Sequence, residues 1–290
     1  MIKSKSTKAG DLIIALICLL LMFICLVPLL NVLARSLSSA DYLVRNEVVL
    51  WPKGWNVDAY TTVLRDAKYV PSLWYTALLT IGCTILSLFM TVICAYPLTY
   101  DNLKGGKVLN GIILFTMYFS AGTIPHYLNI KNLGLLENMW VLVIPGCISV
   151  YNMIIMRSFF YGVPESLREA AEIDGAGPIR TLVQIYLPLS TSVLATLALF
   201  YAVGRWNGFS DALLYIKKRE DLYPIQLLLY NILQNTTAVE VATQEGFSTP
   251  GVGETLKMAT VMFATVPILL VYPWLQRYFV TGVTIGAVKG

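Results

Sequence analysis

The chain has 290 residues, of which 57% are hydrophobic and only 13% charged, and its mean hydropathy is +0.67. That composition excludes the ordinary soluble classes and fits an integral membrane protein. The net charge of +4 therefore bears on topology and does not point to nucleic acid.

In chain order, six stretches lack Asp, Glu, Lys and Arg and are long enough to cross a hydrocarbon core, which takes about 20 helical residues. They are Leu12 to Ala34, Ser72 to Tyr100, Val108 to Ile130, Asn138 to Met156, Thr181 to Gly204 and Met258 to Gln276. Backbone satisfaction in lipid requires them to be helices, so the expected fold is all-α with six transmembrane helices. A seventh uncharged stretch, Leu222 to Val239, is interrupted by Gln226, Asn231 and Gln234 and reads as a short helix outside the membrane. Ser38-Ser39-Ala40 loosely resembles a signal-peptide cleavage site, but the apolar run before it exceeds an h-region of about 7–15 residues, so a retained anchor is expected. Lys3, Lys5 and Lys8 precede the first span with no acid among them, which places the N-terminus in the cytoplasm. Six spans then put both termini and the segment from Pro164 to Pro188 inside, and the loops at 35–71 and 205–257 outside. The layout is a cytoplasmic N-terminus (1–11), one membrane domain (12–280) and a cytoplasmic tail (281–290). The five cysteines, Cys18, Cys25, Cys83, Cys94 and Cys147, all fall in predicted spans and act as small apolar residues.

The run from Pro164 to Pro188, PESLREAAEIDGAGPIRTLVQIYLP, is a polar segment between apolar ones. Pro164 suits a first helical position and Glu165 suits the positive end of the helix dipole. Leu167, Ala170 and Ala171 share one face, and Asp174-Gly175 is a stop signal. Pro178 restarts the helix, with Ile179, Leu182, Val183 and Tyr186 at i, i+3, i+4 and i+7 before Pro188 ends it. Periodicity alone describes a pair of amphipathic helices, suited either to a membrane surface or to a protein groove.

Certain chemistry is missing from the sequence. It has no Walker A pattern, since Gly105-Gly106-Lys107 is followed by Val108 and lacks the first glycine. A single histidine, His126, precludes an HExxH site or a His-based metal cluster. No predicted span contains Asp or Glu, the usual coupling groups of proton- and sodium-driven transporters. The energy for any transport must come from a partner.

Within the polar segment, Glu169-Ala170-Ala171, three residues, Gly175, nine residues, then Ile185, one residue, Leu187 and Pro188 resemble the EAA loop of bacterial ABC importer permeases, with every fixed position met. The C-terminal run QRYFVTGVTIGAVKG, Gln276 to Gly290, is similar to the tail of the maltose-type G-like subunit. The runs SAGTIPHYLNIKNLGLLENMWVLVIPG and LALFYAVGRWNGFSDALLY look like the branch serving oligosaccharides and polysaccharide fragments. This resemblance implies a type I ABC importer transmembrane domain working by alternating access, with cytoplasmic coupling helices seated in clefts of the ATPase subunits. The implied partners are a homologous second permease subunit, two ABC ATPase subunits and an extracellular or lipid-anchored solute-binding protein. ATP and Mg would be bound by the ATPases, with no cofactor and no metal in this chain. Glu169 would pair with a basic residue of the ATPase, Ala170 and Ala171 would permit close approach, and Gly175 would allow the turn; Asp174, Ile185, Leu187 and Pro188 complete the coupling segment. Gly282, Gly286 and Lys289 are candidate tail contacts with the ATPase, and residues 235–253 a candidate outer loop reaching into the binding protein.

Arg205, Trp206 and Asn207 close the fifth span, where a Trp flanked by hydrogen-bonding groups suits a sugar face or an interfacial anchor. His126, Tyr127 and Asn129 read as an aromatic-belt feature, and Arg157 as a side chain snorkelling to cytoplasmic headgroups. The rival class is a membrane-embedded glycosyl transferase. It would need a carboxylate cluster beyond Glu165, Glu169, Glu172 and Asp174, all of which the EAA pattern absorbs; a non-sugar importer is the nearer alternative.

Overall fold

The computed structural model describes the backbone of residues 5–100, 102–244 and 252–287, with side-chain environments for 10–100, 102–234, 253–271 and 273. Its helices are α1 (Lys5–Ser36), α2 (Ala40–Val44), α3 (Asp58–Arg65), α4 (Tyr69–Ala95), α5 (Gly106–Tyr118), α6 (Thr123–Asn132), α7 (Val150–Tyr161), α8 (Glu165–Ile173), α9 (Pro178–Thr181), α10 (Leu187–Leu189), α11 (Thr191–Asn207), α12 (Ser210–Tyr215), α13 (Ile225–Gln244) and α14 (Val252–Ala287). Among the described residues there is no strand, only one isolated antiparallel bridge, Ser38 to Trp55. The chain divides into two compact units, Met1–Val70 with Leu228–Val266, and Pro71–Leu227 with Pro267–Gly290.

In the first unit, α1 is apolar on all sides, and its most apolar window buries nothing against the rest of the chain. Its C-terminal end is tied down. Arg35 pairs with Glu254, Ser36 shares a hydrogen bond of 2.7 Å with the Tyr60 hydroxyl, and the Ser38 hydroxyl donates to the Ala34 carbonyl. Leu43, Val48 and Ala34 form a small core there, and α3 contributes the fully buried Val63.

The second unit is organised on α4. Its buried face carries Ser72, Thr76, Thr80, Ser87 and Thr91, spaced by four or seven residues and each less than a tenth exposed. Small hydroxyl residues let membrane helices approach closely and bond across the interface. Ser72 donates to the Tyr223 carbonyl at 2.6 Å, Thr76 accepts from the Ile225 N–H at 2.8 Å, and Thr91 lies 2.7 Å from the Tyr201 hydroxyl. At the other end of α4, Val92, Tyr96, Leu98, Met153, Met156, Phe160, Tyr186 and Leu197 form the main apolar core.

Among the described residues, three helices are long and apolar enough to cross a membrane, and up to five spans result if each sharply bent pair is counted as one. The third predicted span is broken after Tyr118, with α5 and α6 meeting at 114°. The expected span from Thr181 to Gly204 bends by 83° at Ser190, so its membrane-crossing part is α11. The expected span from Asn138 to Met156 is helical only from Val150 onward, after a 3-10 turn at Met139–Leu142 and a non-helical stretch at 143–149 containing Pro145 and Gly146. Absence of charge was met throughout these stretches, but proline removes a backbone donor and glycine a side chain to pack, so apolarity did not make one continuous helix. The seventh stretch forms most of α13, and residues 235–244 of the expected outer loop are helical; residues 245–251 lie outside the described residues.

Candidate functional site

Pro164 has an extended ψ of 130° and is the N-cap of α8 rather than its first helical residue, its carbonyl accepting from the Leu167 N–H at 3.1 Å. The helix ends in a full Schellman motif: the Ala176 N–H reaches the Ala171 carbonyl at 2.8 Å and the Gly175 N–H reaches the Glu172 carbonyl at 3.0 Å. Gly175 sits at φ +77°, in left-handed backbone that glycine adopts without cost, and open space surrounds the position a Cβ would take. Gly177 then caps α9, and Pro178 occupies its first turn.

Between α9 and α10, Leu182–Tyr186 winds as a π-helix. Pro188 cannot donate to the Gln184 carbonyl and its ring crowds that oxygen, so widening of the preceding turn and the bend at Ser190 accommodate it. The wider turn also changes which residues face inward. Thr181 and Tyr186 are buried, whereas Ile179 and Val183 are 78% and 54% exposed, so the i, i+3, i+4, i+7 stripe expected of an ordinary helix does not pack as one face.

The EAA residues fall into two groups. Glu169, Ala170, Asp174 and Gly175 are exposed and Ala171 is half-buried on α8 and its turn. Ile185 and Leu187 are partly buried against the apolar core, and Pro188 is exposed beside them. Leu167 and Ile173 are exposed too, so the segment presents apolar side chains to its surroundings.

Residues outside the motif hold this segment to the membrane domain. Tyr96, Phe160 and Tyr186 meet edge to face at centroid separations of 5.1–6.1 Å, and Tyr96 shares a hydroxyl hydrogen bond of 2.6 Å with Tyr100. Arg168 lies over the Tyr100 ring at 5.0 Å while pairing along α8 with Glu165 and Glu172. Sequence spacing does not show these partners, since Tyr100 and Arg168 meet only through the fold. Tyr186 alone carried a signal, as the variable residue inside the closing part of the motif.

Arg205 is engaged internally. Its guanidinium forks onto Asp211 at 2.5 and 3.1 Å and donates to the Leu142 and Gly208 carbonyls, both at 3.1 Å. Trp206 is buried on an apolar groove of about 440 Å³ lined by Leu73, Trp74, Leu199 and Pro267, and Asn207 is exposed, so the three do not converge on one cavity. Arg157 donates to the Leu98 carbonyl, Asn110 Oδ1 and the Tyr161 hydroxyl. His126 and Tyr127 pack on Tyr215. Nearby, Glu137 sits at φ +55° and accepts from the backbone N–H groups of Lys217, Lys218 and Arg219, which hold its carboxyl below the usual range. In the tail, Gly282 and Gly286 are helical within α14, and Lys289 lies outside the described residues.

The model of the binding-protein-dependent transport system inner membrane component matches residues 52–285. The chain belongs to this family. As an inner-membrane transport component, the permease is 40% identical over 269 residues to "Protein LplC" of Bacillus subtilis (strain 168), covering 92% of this chain and 90% of that protein. It is 38% identical over 274 residues to the "Polygalacturonan/rhamnogalacturonan transport system permease protein YtcP" of the same organism, covering 93% and 96%. Its fold matches a chain of a bacterial ABC transporter involved in the import of the acidic polysaccharide alginate, with a TM-score of 0.85, 30% identity, and coverage of 96% of this chain and 99% of that one.

Proposed function

We infer that the chain is the permease subunit forming half of the translocation pathway for a carbohydrate, an oligosaccharide, in an ATP-driven importer fed by a binding protein. The observation that carries this is a complete EAA segment, with Glu169, Ala170, Asp174 and Gly175 exposed on α8 and its Schellman turn, in a member of this transport family that is similar to a polygalacturonan/rhamnogalacturonan permease and to a chain of an importer of the acidic polysaccharide alginate. A second, homologous permease would complete the pathway, and two ATPases would bind ATP and Mg, leaving this chain without a cofactor. The solute-binding protein, extracellular or lipid-anchored, would deliver the sugar.

Closure of the ATPases on nucleotide would draw the coupling segments of the two permeases together and open the cavity outward by rigid-body motion. The arrangement of side chains suits that task. Tyr96, Tyr100, Phe160, Arg168 and Tyr186 tie α8 and the π-turn to α7 and to the turn that directly follows α4, so a displacement of α8 would reach packed membrane helices. Both termini and the coupling segment would face the cytoplasm, with the Gly282 to Lys289 tail against the ATPase. The test is uptake of labelled oligogalacturonate, oligoalginate and malto-oligosaccharide by cells with and without this subunit. Loss of at least one activity on deletion is expected; undiminished uptake of every glycan would refute the reading.

A further inference from the structure

Gly105-Gly106-Lys107, which fails as a nucleotide-binding loop, begins α5 at the end of the membrane domain that leads into the coupling segment. There Gly105, Gly106, Lys107, Asn110, Arg157 and Tyr161 line a cavity of about 440 Å³. Arg157 stands four residues before the end of α7 at Tyr161, about 6 Å at 1.5 Å per residue. The cavity therefore lies where the helices leave the hydrocarbon, at the level of lipid headgroups.

The charge on Arg157 is unmatched. Arg35, Arg168, Arg205 and Arg219 each pair with a carboxylate. Arg157 is half-buried, yet its three acceptors are neutral: the Leu98 carbonyl at 3.1 Å, Asn110 Oδ1 at 2.8 Å and the Tyr161 hydroxyl at 3.0 Å. These bonds fix the guanidinium and use three of its five N–H donors, leaving two. Lys107 is exposed and has no ion pair among the described residues. Because Gly105 offers no capping side chain, the N–H groups of Lys107 and Val108 also lack an acceptor among the described residues, and the start of α5 adds its positive potential. No carboxylate among the described residues lines the cavity. A fixed, partly desolvated cation without a counter-charge is costly, and an anion seated beside it removes that cost.

We propose that this cavity binds the headgroup phosphate of an anionic phospholipid, held by the two remaining N–H donors of Arg157 and by the Lys107 ammonium. The source of the phosphate follows from what adjoins it. An apolar groove of about 490 Å³, lined by Ile93, Pro97, Pro178 and Leu182, shares Tyr100 and Leu103 with the cavity. A free phosphate ion would use only the polar half, whereas a lipid places its phosphate in one and an acyl chain in the other. Arg suits this task because its planar fork matches two phosphate oxygens, and basic pockets between membrane helices are where acidic headgroups bind. Assignment to the cytoplasmic leaflet rests on the topology in the transport reading above.

The test uses the complete importer, stripped of lipid in detergent and titrated with phosphatidylglycerol or phosphatidylcholine, with bound lipid counted by native mass spectrometry. The parent should prefer phosphatidylglycerol. Lys107→Gln should weaken its binding about fivefold, the effect of one basic residue beside an acidic headgroup, and Arg157→Gln about tenfold or more. Lys131→Gln, which removes the same charge from an exposed position on α6, should leave it unchanged. Equal binding of the two lipids by the parent, no loss in either cavity variant, or an equal loss in Lys131→Gln would overturn the site. If Arg157→Gln does not assemble, having lost contacts that hold α5 to α7, Lys107→Gln decides alone, since its side chain holds nothing else. Displacement of phosphatidylglycerol by millimolar inorganic phosphate would assign the cavity to the free ion and overturn the lipid; resistance to it supports the lipid. Because no arm reads sugar uptake, loss of the lipid site would leave the carbohydrate reading standing, and loss of that reading would leave the lipid site standing.

Discussion

Replacing Gly175 separates two reasons for a glycine at the coupling turn. The residue sits at φ +77° with nothing within 4 Å of an added Cβ, so inside this chain a substitution is opposed by backbone strain and not by crowding. Holding an ordinary L-residue in left-handed backbone costs about 1–2 kcal/mol, Asn being the most tolerant and β-branched residues the least. That is too little to unfold a membrane domain, but it favours unwinding of the last turn of α8, which under the proposed coupling role would have to re-form each time force is transmitted. Entered as a barrier, about 1 kcal/mol for Gly175→Ala slows transport about fivefold and about 2 kcal/mol for Gly175→Val about thirtyfold, with Gly175→Asn within about twofold of the parent. The assay is oligosaccharide uptake normalised to the amount of assembled importer in the membrane. If Gly175→Val transports normally, the turn is not part of the coupling path. If Asn is as damaging as Val, side-chain bulk against the ATPase is the constraint, and the strain argument fails.

Other outcomes follow from contacts described above. Arg168→Lys keeps the charge but loses the planar stack on Tyr100, so the ratio of sugar transported to ATP hydrolysed should fall several-fold with assembly intact; an unchanged ratio would show that the contact does not transmit motion. Asp211→Asn leaves the Arg205 guanidinium with one full charge unmatched in a site where its side chain is 12% exposed, and should lower stability by about 2–3 kcal/mol, read as a drop in the melting temperature of the detergent-solubilised complex. Because backbone N–H groups depress the Glu137 carboxyl, its contribution is fully present above the ordinary carboxylate pKa and is lost as pH falls through the lower folded value. Amide exchange at Lys217 and Lys218, corrected for intrinsic rates, should therefore stay protected from pH 7 to about pH 5 and lose protection only in stronger acid, while Glu137→Ala should remove it throughout.

The two short helices of residues 164–188 and the turn between them were legible because their turn chemistry is local: Asp174-Gly175 marks the Schellman end, and Gly177-Pro178 the restart. The apolar helices were legible in the same way, since freedom from charge over about 20 residues is a property of the chain itself. The interruption before Val150 was not, because a span counted by missing charges does not register that Pro145 and Gly146 stop a helix from continuing. The π-turn at Leu182–Tyr186 was equally hidden. It adds a residue to one turn and redirects Ile179 and Val183 outward, while the sequence keeps ordinary helical spacing. The partners of Arg157 and Arg205, Asn110 and Leu98 for one and Asp211 and Leu142 for the other, were hidden because tertiary packing sets them, whereas the sequence offered a headgroup contact for Arg157 and a sugar face or an interfacial anchor for Arg205.

The hydroxyl face of α4 bears on how the protein is made. Its partners are synthesised much later: Tyr201 lies 110 residues beyond Thr91, Ile225 lies 149 beyond Thr76, and Tyr223 lies 151 beyond Ser72. At ribosomal speeds of 5–20 residues per second, α4 waits for these groups for about 5 to 30 seconds. During that interval its hydroxyls can fall back on their own helix, as Thr76 does in donating to the Ser72 carbonyl at 2.7 Å. The same feature that lets the finished helices lie close thus makes α4 the span least suited to early release into lipid, and a natural client for whatever holds nascent helices beside the insertion channel.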